Sequence, residues 1–187
     1  MSITDEKAAT RIRAYGRRKE VHDSGLDPQA AAHLTEYLTT LEPFDLISAY
    51  MPIRTEISPL EVMTALHIAG KTVLVPVIKA KGQPLLFSRW SPDGAMVRGP
   101  FGAYIPAVEA YFAPEVLITP LLAYDARGYR LGYGGGFYDR SFQKLRQNKP
   151  ITAVGFAYSA QQVEAVPTEP TDQRLDAIVT EAGVLTL

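Results

Sequence analysis

Apolar positions along this chain fall into short β-branched runs separated by segments of helical period, and the two patterns alternate. Residues 4–20 read as a helix, with Thr4 placed to cap it and Lys7 rather than an acid three residues on. Asp27-Pro28 opens a second helix, with Ala30, Leu34, Tyr37, Leu38 and Leu41 at core spacing. Residues 46–51 then read as a strand. Ser58-Pro59-Leu60-Glu61 has the form of a capping box with proline at the first helical position, opening a helix to about residue 69. The run 72–77, bounded by Gly70-Lys71, reads as a second buried strand, and 85–90 as a third. Residues 91–106 hold three glycines and three prolines with scattered apolar positions, which reads as a long loop of the kind that forms lids. Residues 116–119 form the next strand, and 137–145 a helix with Phe137, Phe142 and Leu145 as its apolar positions. Strands at 151–158 and 176–180 complete the pattern, with a helix-poor stretch between them. Strands alternating with helices predict an α/β fold: one domain of three layers, α/β/α, around a mostly parallel sheet.

Composition narrows the function classes. A chain of 187 residues suits one domain and can bury about 70% of the surface it exposes when unfolded. Its formal net charge of −1 argues against an electrostatic grip on nucleic acid, which usually requires a strongly basic domain. The absence of cysteine excludes disulfides, thiolate metal sites and a cysteine nucleophile. The start, Met1-Ser2-Ile3-Thr4-Asp5-Glu6, lacks the basic-then-apolar pattern of a signal peptide, and no apolar run approaches the roughly 20 residues of a membrane span. The expectation is a cytoplasmic protein without membrane partners.

Chemistry concentrates between Arg130 and Arg140, which read R-L-G-Y-G-G-G-F-Y-D-R. Gly132, Gly134, Gly135 and Gly136 can take positive φ and turn their amides inward as an anion-binding concavity. A helix beginning at Phe137 adds an N-terminus where unpaired N–H groups favour negative charge. The run lacks the Lys-Ser or Lys-Thr of a P-loop, and its third glycine falls too early for a dinucleotide fingerprint. Its surroundings separate it from an ordinary tight turn: Arg127, Arg130 and Arg140 supply cations, and Asp125 and Asp139 supply carboxylates. Together these are the parts of a nucleotide-phosphate site with a magnesium carboxylate at its edge. Six basic residues and no acid lie between Lys7 and Lys19, and Lys7, Arg11 and Arg18 share one helical face. Such a face is either a solvated surface or a cationic arm over a polyphosphate. Glu56, in the loop that leaves the first strand, is either a helix N-terminal charge or a ligand-binding carboxylate. Asp172 precedes a strand, so topology alone does not bring it to the site.

Leu121-Leu122-Ala123-Tyr124-Asp125, followed by Gly128 through Arg140, resembles the signature of the 5-formyltetrahydrofolate cyclo-ligase (methenyltetrahydrofolate synthetase) family. The resemblance extends over nearly the whole chain, through Lys7-x-x-x-Arg11, the Tyr50-x-Pro loop with Glu56, and Asp172. It implies ATP- and Mg2+-dependent closure of 5-formyltetrahydrofolate to 5,10-methenyltetrahydrofolate, releasing ADP and phosphate. The formyl oxygen would attack the γ-phosphate, N10 would close on the activated carbon, and phosphate would leave. By position, Lys7, Arg11 and the run Arg130, Leu131, Gly132, Tyr133, Gly134, Gly135, Gly136, Phe137 and Tyr138 would hold ATP. Met51, Glu56 and Tyr138 would bind the folate, Asp139 and Asp172 would hold Mg2+, and Arg130, Tyr138 and Asp139 would act in catalysis. Trp90 and Phe101 are further candidates to contact the flat ring or to pack in the core or lid. The basic helix would lie beside the nucleotide, and a monomer would suffice. One departure stands out: Phe101-Gly102-Ala103-Tyr104-Ile105-Pro106 puts Ile105 where the family pattern has glutamate, with Glu109 nearby. Other readings are a folate- or nucleotide-binding paralogue without turnover and a related ATP-dependent enzyme acting on another substrate. A sugar-phosphate isomerase or acyl-transferase relative on a similar α/β sheet would need a catalytic Glu or Asp base without an ATP loop, which the run from Arg130 to Asp139 disfavours.

Overall fold

The computed structural model describes residues 2–100 and 102–187, so Phe101 lies outside the described residues. The strands in chain order are β1 (Leu46–Ser48), β2 (Thr72–Val77), β3 (Leu86–Arg89), β4 (Met96–Arg98), β5 (Tyr104–Pro106) and β6 (Val116–Thr119). They continue with β7 (Ala123–Tyr124), β8 (Arg130–Leu131), β9 (Thr152–Phe156), β10 (Ala177–Thr180) and β11 (Gly183–Thr186). The helices are α1 (Ile3–Val21), α2 (Asp27–Thr40), α3 (Leu60–Ile68) and α4 (Phe137–Asn148). Seven strands form the central sheet in the order β11-β10-β9-β6-β1-β2-β3. Its interior pairs are parallel, and only the edge pairs β2–β3 and β10–β11 are antiparallel.

The central strands are buried along their length because helices cover both faces, as a parallel sheet requires. Residues alternate sides: Ile47, Val73, Val75, Val116, Ile118, Val154, Phe156 and Val179 join Leu34 and Leu38 of α2 and Val62 and Met63 of α3. Leu74, Leu117, Ala153 and Ile178 face the other way, against Phe142 of α4. This is the three-layer arrangement that the alternation predicts. The edge strand β11, by contrast, alternates half-buried and exposed positions, the mark of an antiparallel strand with one wet face. Helix α1 stands outside the layers, with Ala14 packed on Leu122, Ala123, Leu131 and Val166.

Several local expectations need correction. Ser2, not Thr4, caps α1: its hydroxyl accepts from Asp5 N while the Asp5 carboxylate accepts from Ser2 N, so the acidic partner is present two residues before Lys7. The capping box at Ser58 does not form, because Pro59 itself occupies the N-cap and Ser58 Oγ accepts only from Leu60 N at 3.4 Å. Residues 91–106 are not a plain loop; β4 and β5 pair there as an antiparallel ribbon. The hairpin β7–β8, inserted between β6 and the glycine run, and the edge strand β11 are additional elements. Among the described residues, no helix is long and apolar enough to cross a membrane.

Candidate active site

The order of the strands fixes where a ligand sits. From β1 the chain builds outward through β2 and β3, and from β6 it builds through β9, β10 and β11 on the opposite side. The order reverses between the parallel neighbours β1 and β6. Such a switch point in an open α/β sheet leaves a crevice outside the carboxyl ends of its two strands. A cavity of about 530 Å³ is lined there by Tyr50, Met51, Ile53 and Glu56 after β1 and by Pro120 after β6. That volume is typical of a small-molecule site.

The hairpin β7–β8 carries the chain from β6 back to this mouth and delivers the glycine run to the start of α4. Gly134 and Gly136 have φ of 96° and 62°, in the left-handed region that glycine enters without strain. Gly136 is the N-cap of α4 and no side chain caps the helix; the dipole at such a helix N-terminus favours negative charge. Arg11 reaches across from α1 and donates from Nε to Gly132 O at 2.9 Å. Arg140 donates to Gly135 O at 2.5 Å.

Three acid–cation pairs, two of them on Lys7, stand beside the loop. Lys7 Nζ donates to Asp172 Oδ2 at 2.6 Å and to Glu169 Oε2 at 2.7 Å. Burial pulls the Lys7 ammonium down in pKa, but the hydrogen bonds and charges of Asp172 and Glu169 more than offset it, so the net shift is upward. The Arg130 side chain is 5% exposed and donates to Asp139 Oδ1 at 3.0 Å and to Gln173 O at 2.7 Å. Burial lowers its pKa against the opposing charge of Asp139. Gln173 N also donates to Asp139 Oδ1. Asp139 Oδ2 and Asp172 Oδ1 are left without a hydrogen-bond partner among the described residues.

The remaining polar groups are buried. Glu56 is 5% exposed, and its Oε2 accepts from Ile53 N at 2.9 Å. Burial pushes its carboxyl pKa up, opposed by the Ile53 amide, Arg18, Tyr133 and Arg54. The Tyr138 hydroxyl is buried without a hydrogen-bond partner among the described residues. Burial raises its pKa, Glu56 adds to the rise and Arg130 opposes it, so this phenol stays a neutral donor between the two charges. A buried hydroxyl left open in a cavity is a place for a ligand atom.

Every position that the sequence assigned to ATP, folate or metal lines this one cavity. Other residues go elsewhere. Trp90 packs in the core with Val73 and Val75 rather than against a ligand. Asp125 is fully buried and accepts from Arg127, Tyr129 N and Val166 N, so this pair braces the hairpin turn instead of the phosphates. Arg18 shares the face of Lys7 and Arg11 but is fully buried beneath the loop. Glu109 pairs with Lys79 and does not replace the carboxylate missing at Ile105, which forms part of the cavity wall. Sequence reasoning missed Glu169 and Gln143, together with the apolar wall of Pro76, Ile78 and Leu85. Two acids three apart across Pro170 were the available signal for Glu169.

Among the described residues, no three His, Asp or Glu side chains are grouped to hold a metal alone. Two aspartates, each with one oxygen free, do fit Mg2+, which is commonly bound by one or two carboxylates plus substrate phosphates.

Comparison with known proteins agrees with this geometry. The model of the 5-formyltetrahydrofolate cyclo-ligase family matches residues 4–181. The 5-formyltetrahydrofolate cyclo-ligase of Haemophilus influenzae is 41% identical over 132 residues, 67% of this chain and 70% of that protein. The Escherichia coli K12 protein of the same name is 34% identical over 144 residues, 74% of this chain and 79% of its own. Among solved structures, the 5,10-methenyltetrahydrofolate synthetase of Aquifex aeolicus superposes with a TM-score of 0.78 at 25% identity, covering 97% of this chain and 92% of that one. The Mycoplasma pneumoniae synthetase has the same fold, with a TM-score of 0.72 at 24% identity over 94% of this chain and 98% of its own.

Proposed function

The chain belongs to the 5-formyltetrahydrofolate cyclo-ligase family, and we propose that it cyclises 5-formyltetrahydrofolate to 5,10-methenyltetrahydrofolate with ATP and Mg2+, releasing ADP and phosphate. The observation that carries this reading is the joining, in one cavity, of a cation-ringed glycine loop with a buried carboxylate and an open phenol.

The residues divide the work. Lys7, Arg11, Arg130 and the amides of Gly132 through Gly136 bind the triphosphate and hold its terminal group toward the formyl oxygen. Met51 and Glu56 bind the folate, with the Glu56 carboxylate accepting hydrogen bonds from the ring's N–H groups. Tyr138 donates from its hydroxyl to substrate. Arg130 lies 5.9 Å over its ring and the charge of Glu56 reaches it, which supports reading that donor as the one between the folate and phosphate halves. The substrate supplies both nucleophiles: its formyl oxygen takes the γ-phosphoryl group and ADP leaves. N10 then bonds to the activated carbon, the carbon–oxygen bond breaks, phosphate departs with that oxygen, and N10 gives up its proton. This route needs no protein nucleophile, and positioning with charge stabilisation carries it. Asp139 and Asp172 would hold Mg2+, which neutralises phosphate charge when bound. The reading is of a cytoplasmic metabolic enzyme that works as a monomer, supported by a cavity to which one chain contributes all of these residues.

Absorbance at the methenyl band, followed with 5-formyltetrahydrofolate in the presence and absence of Mg-ATP, tests the reading. ATP-dependent product is the expected result. No product, with ATP binding intact by calorimetry, would replace it with a binding paralogue or an enzyme of another substrate.

A further inference from the structure

Tyr133 belongs by sequence to the phosphate loop, yet its side chain leaves that loop toward Glu56. Arg18 Nη2 donates to the Tyr133 hydroxyl at 2.6 Å. Glu56 lines the same cavity and feels the Tyr133 hydroxyl and Arg18 electrostatically, and Arg54, two residues before it, lies over the Tyr133 ring at 5.5 Å. A phenol oxygen can accept one bond and donate another, so with Arg18 on its oxygen the Tyr133 O–H is left to donate toward the folate-side loop, to which Arg18 also bonds at Thr55.

Arg18 is built into this role. It is fully buried, and among the described residues no carboxylate accepts from it; its other donors go to Thr55 Oγ1 at 3.1 Å and Leu121 O at 3.2 Å. Its guanidinium carbon lies 5.4 Å from the Tyr15 ring centre and 5.5 Å from that of Tyr133. Arg54 stacks on the same two rings, at 5.9 and 5.5 Å. Arg54 is also the one non-glycine residue with positive φ among the described residues, at 56°, a strained conformation that its surroundings must hold. A buried cation without a hydrogen-bonded acid is costly unless it serves a charge nearby, and Glu56 is that charge.

We propose that Tyr133, held by Arg18, is the positioning residue for Glu56, so that its side chain serves the folate half of the cavity while its backbone serves the phosphate half. The proposal rests on the reading of Glu56 as the folate ligand. The groups that face Glu56 are Arg18 from α1, Arg54 from its own loop, Tyr50 at the end of β1, Tyr133 from the glycine run and Tyr138 from α4. The tyrosines are neutral at physiological pH, so Arg18, Arg54 and the Tyr133 hydroxyl favour the ionised carboxylate against the burial that raises its pKa.

Tyr133→Phe keeps the ring and its stacking and removes only the hydroxyl; Arg18→Lys is the second variant. For Tyr133→Phe the KM for 5-formyltetrahydrofolate should rise about tenfold, the scale of one hydrogen bond to a charged group, with the KM for ATP unchanged. The acid limb of kcat/KM for the folate should move to higher pH. In the ligand-free protein, the Glu56 side-chain carbon followed by NMR should titrate at higher pH than in the wild type. A raised KM for ATP with unchanged folate KM would overturn the proposal, as would an unmoved Glu56 titration. A shifted titration in a protein that never turns over 5-formyltetrahydrofolate would support the positioning role and reject the substrate.

Discussion

Lys7 Nζ stands 2.6 Å from Asp172 Oδ2, which joins the first helix to a turn 165 residues later. That contact delivers the cation and the carboxylate to the same edge of the cavity. Lys7→Ala should raise the KM for ATP about tenfold or more, since a hydrogen bond to a charged group is worth roughly 1.5–3 kcal/mol. The KM for 5-formyltetrahydrofolate should stay near its wild-type value. Steady-state kinetics in each substrate check this, and an unchanged KM for ATP would return α1 to a structural role.

Asp139→Asn isolates the charge of one proposed metal ligand from its scaffolding. Asparagine Oδ1 can still accept from Arg130 and Gln173 N, as Asp139 does. The fold should therefore survive, while kcat falls on the order of a hundredfold and the Mg2+ concentration for half-activity rises. Circular dichroism with an Mg2+ titration of turnover separates the two effects. Full activity at wild-type Mg2+ demand would remove Asp139 from the site.

Gly134→Ala should damage the phosphate half without touching the folate half. Its φ of 96° disfavours any side chain, and an added Cβ would lie 3.2 Å from the Arg11 guanidinium. Stability should drop by about 1–2 kcal/mol, visible as a lower Tm. The KM for ATP should rise as Arg11 is displaced from Gly132 O, and an unaltered KM would show that the loop tolerates the methyl group.

The layers were legible because Val73, Leu74 and Val75 form the unbroken apolar run of a strand buried on both faces, and α2 and α4 carry helical spacing. The glycine-loop wall of the cavity was legible because its residues lie together, from Arg130 to Asp139. Pairings between distant or weakly patterned segments were not. The hairpin β7–β8 is two residues a strand, too short to register as a period, and β4–β5 hides among glycines and prolines. Arg18 reads as one more basic residue on α1. Only tertiary packing reveals that it is fully buried and bonded to Tyr133.

Glu56→Gln tests the cost of keeping a carboxylate in that place. Burial raises the Glu56 pKa above its ordinary value, so ionising it disfavours the folded state. Below the unfolded-state pKa, about 4.3, Glu56 is neutral in both states and this cost is absent. As pH rises through the higher folded-state pKa, stability is lost. Glutamine carries no such charge and can still accept from Ile53 N. Thermal melts from pH 4 to pH 8 should therefore show Glu56→Gln melting above the wild type at pH 8, with the gap closing toward pH 4. Turnover of 5-formyltetrahydrofolate should fall about a hundredfold in the same variant, because a neutral amide cannot replace a carboxylate that accepts from the folate ring. A stabilised, inactive variant is what a residue kept for function at the expense of the fold produces. A glutamine variant that melts below the wild type at pH 8 would mean that Arg18, Arg54 and Tyr133 outweigh the burial.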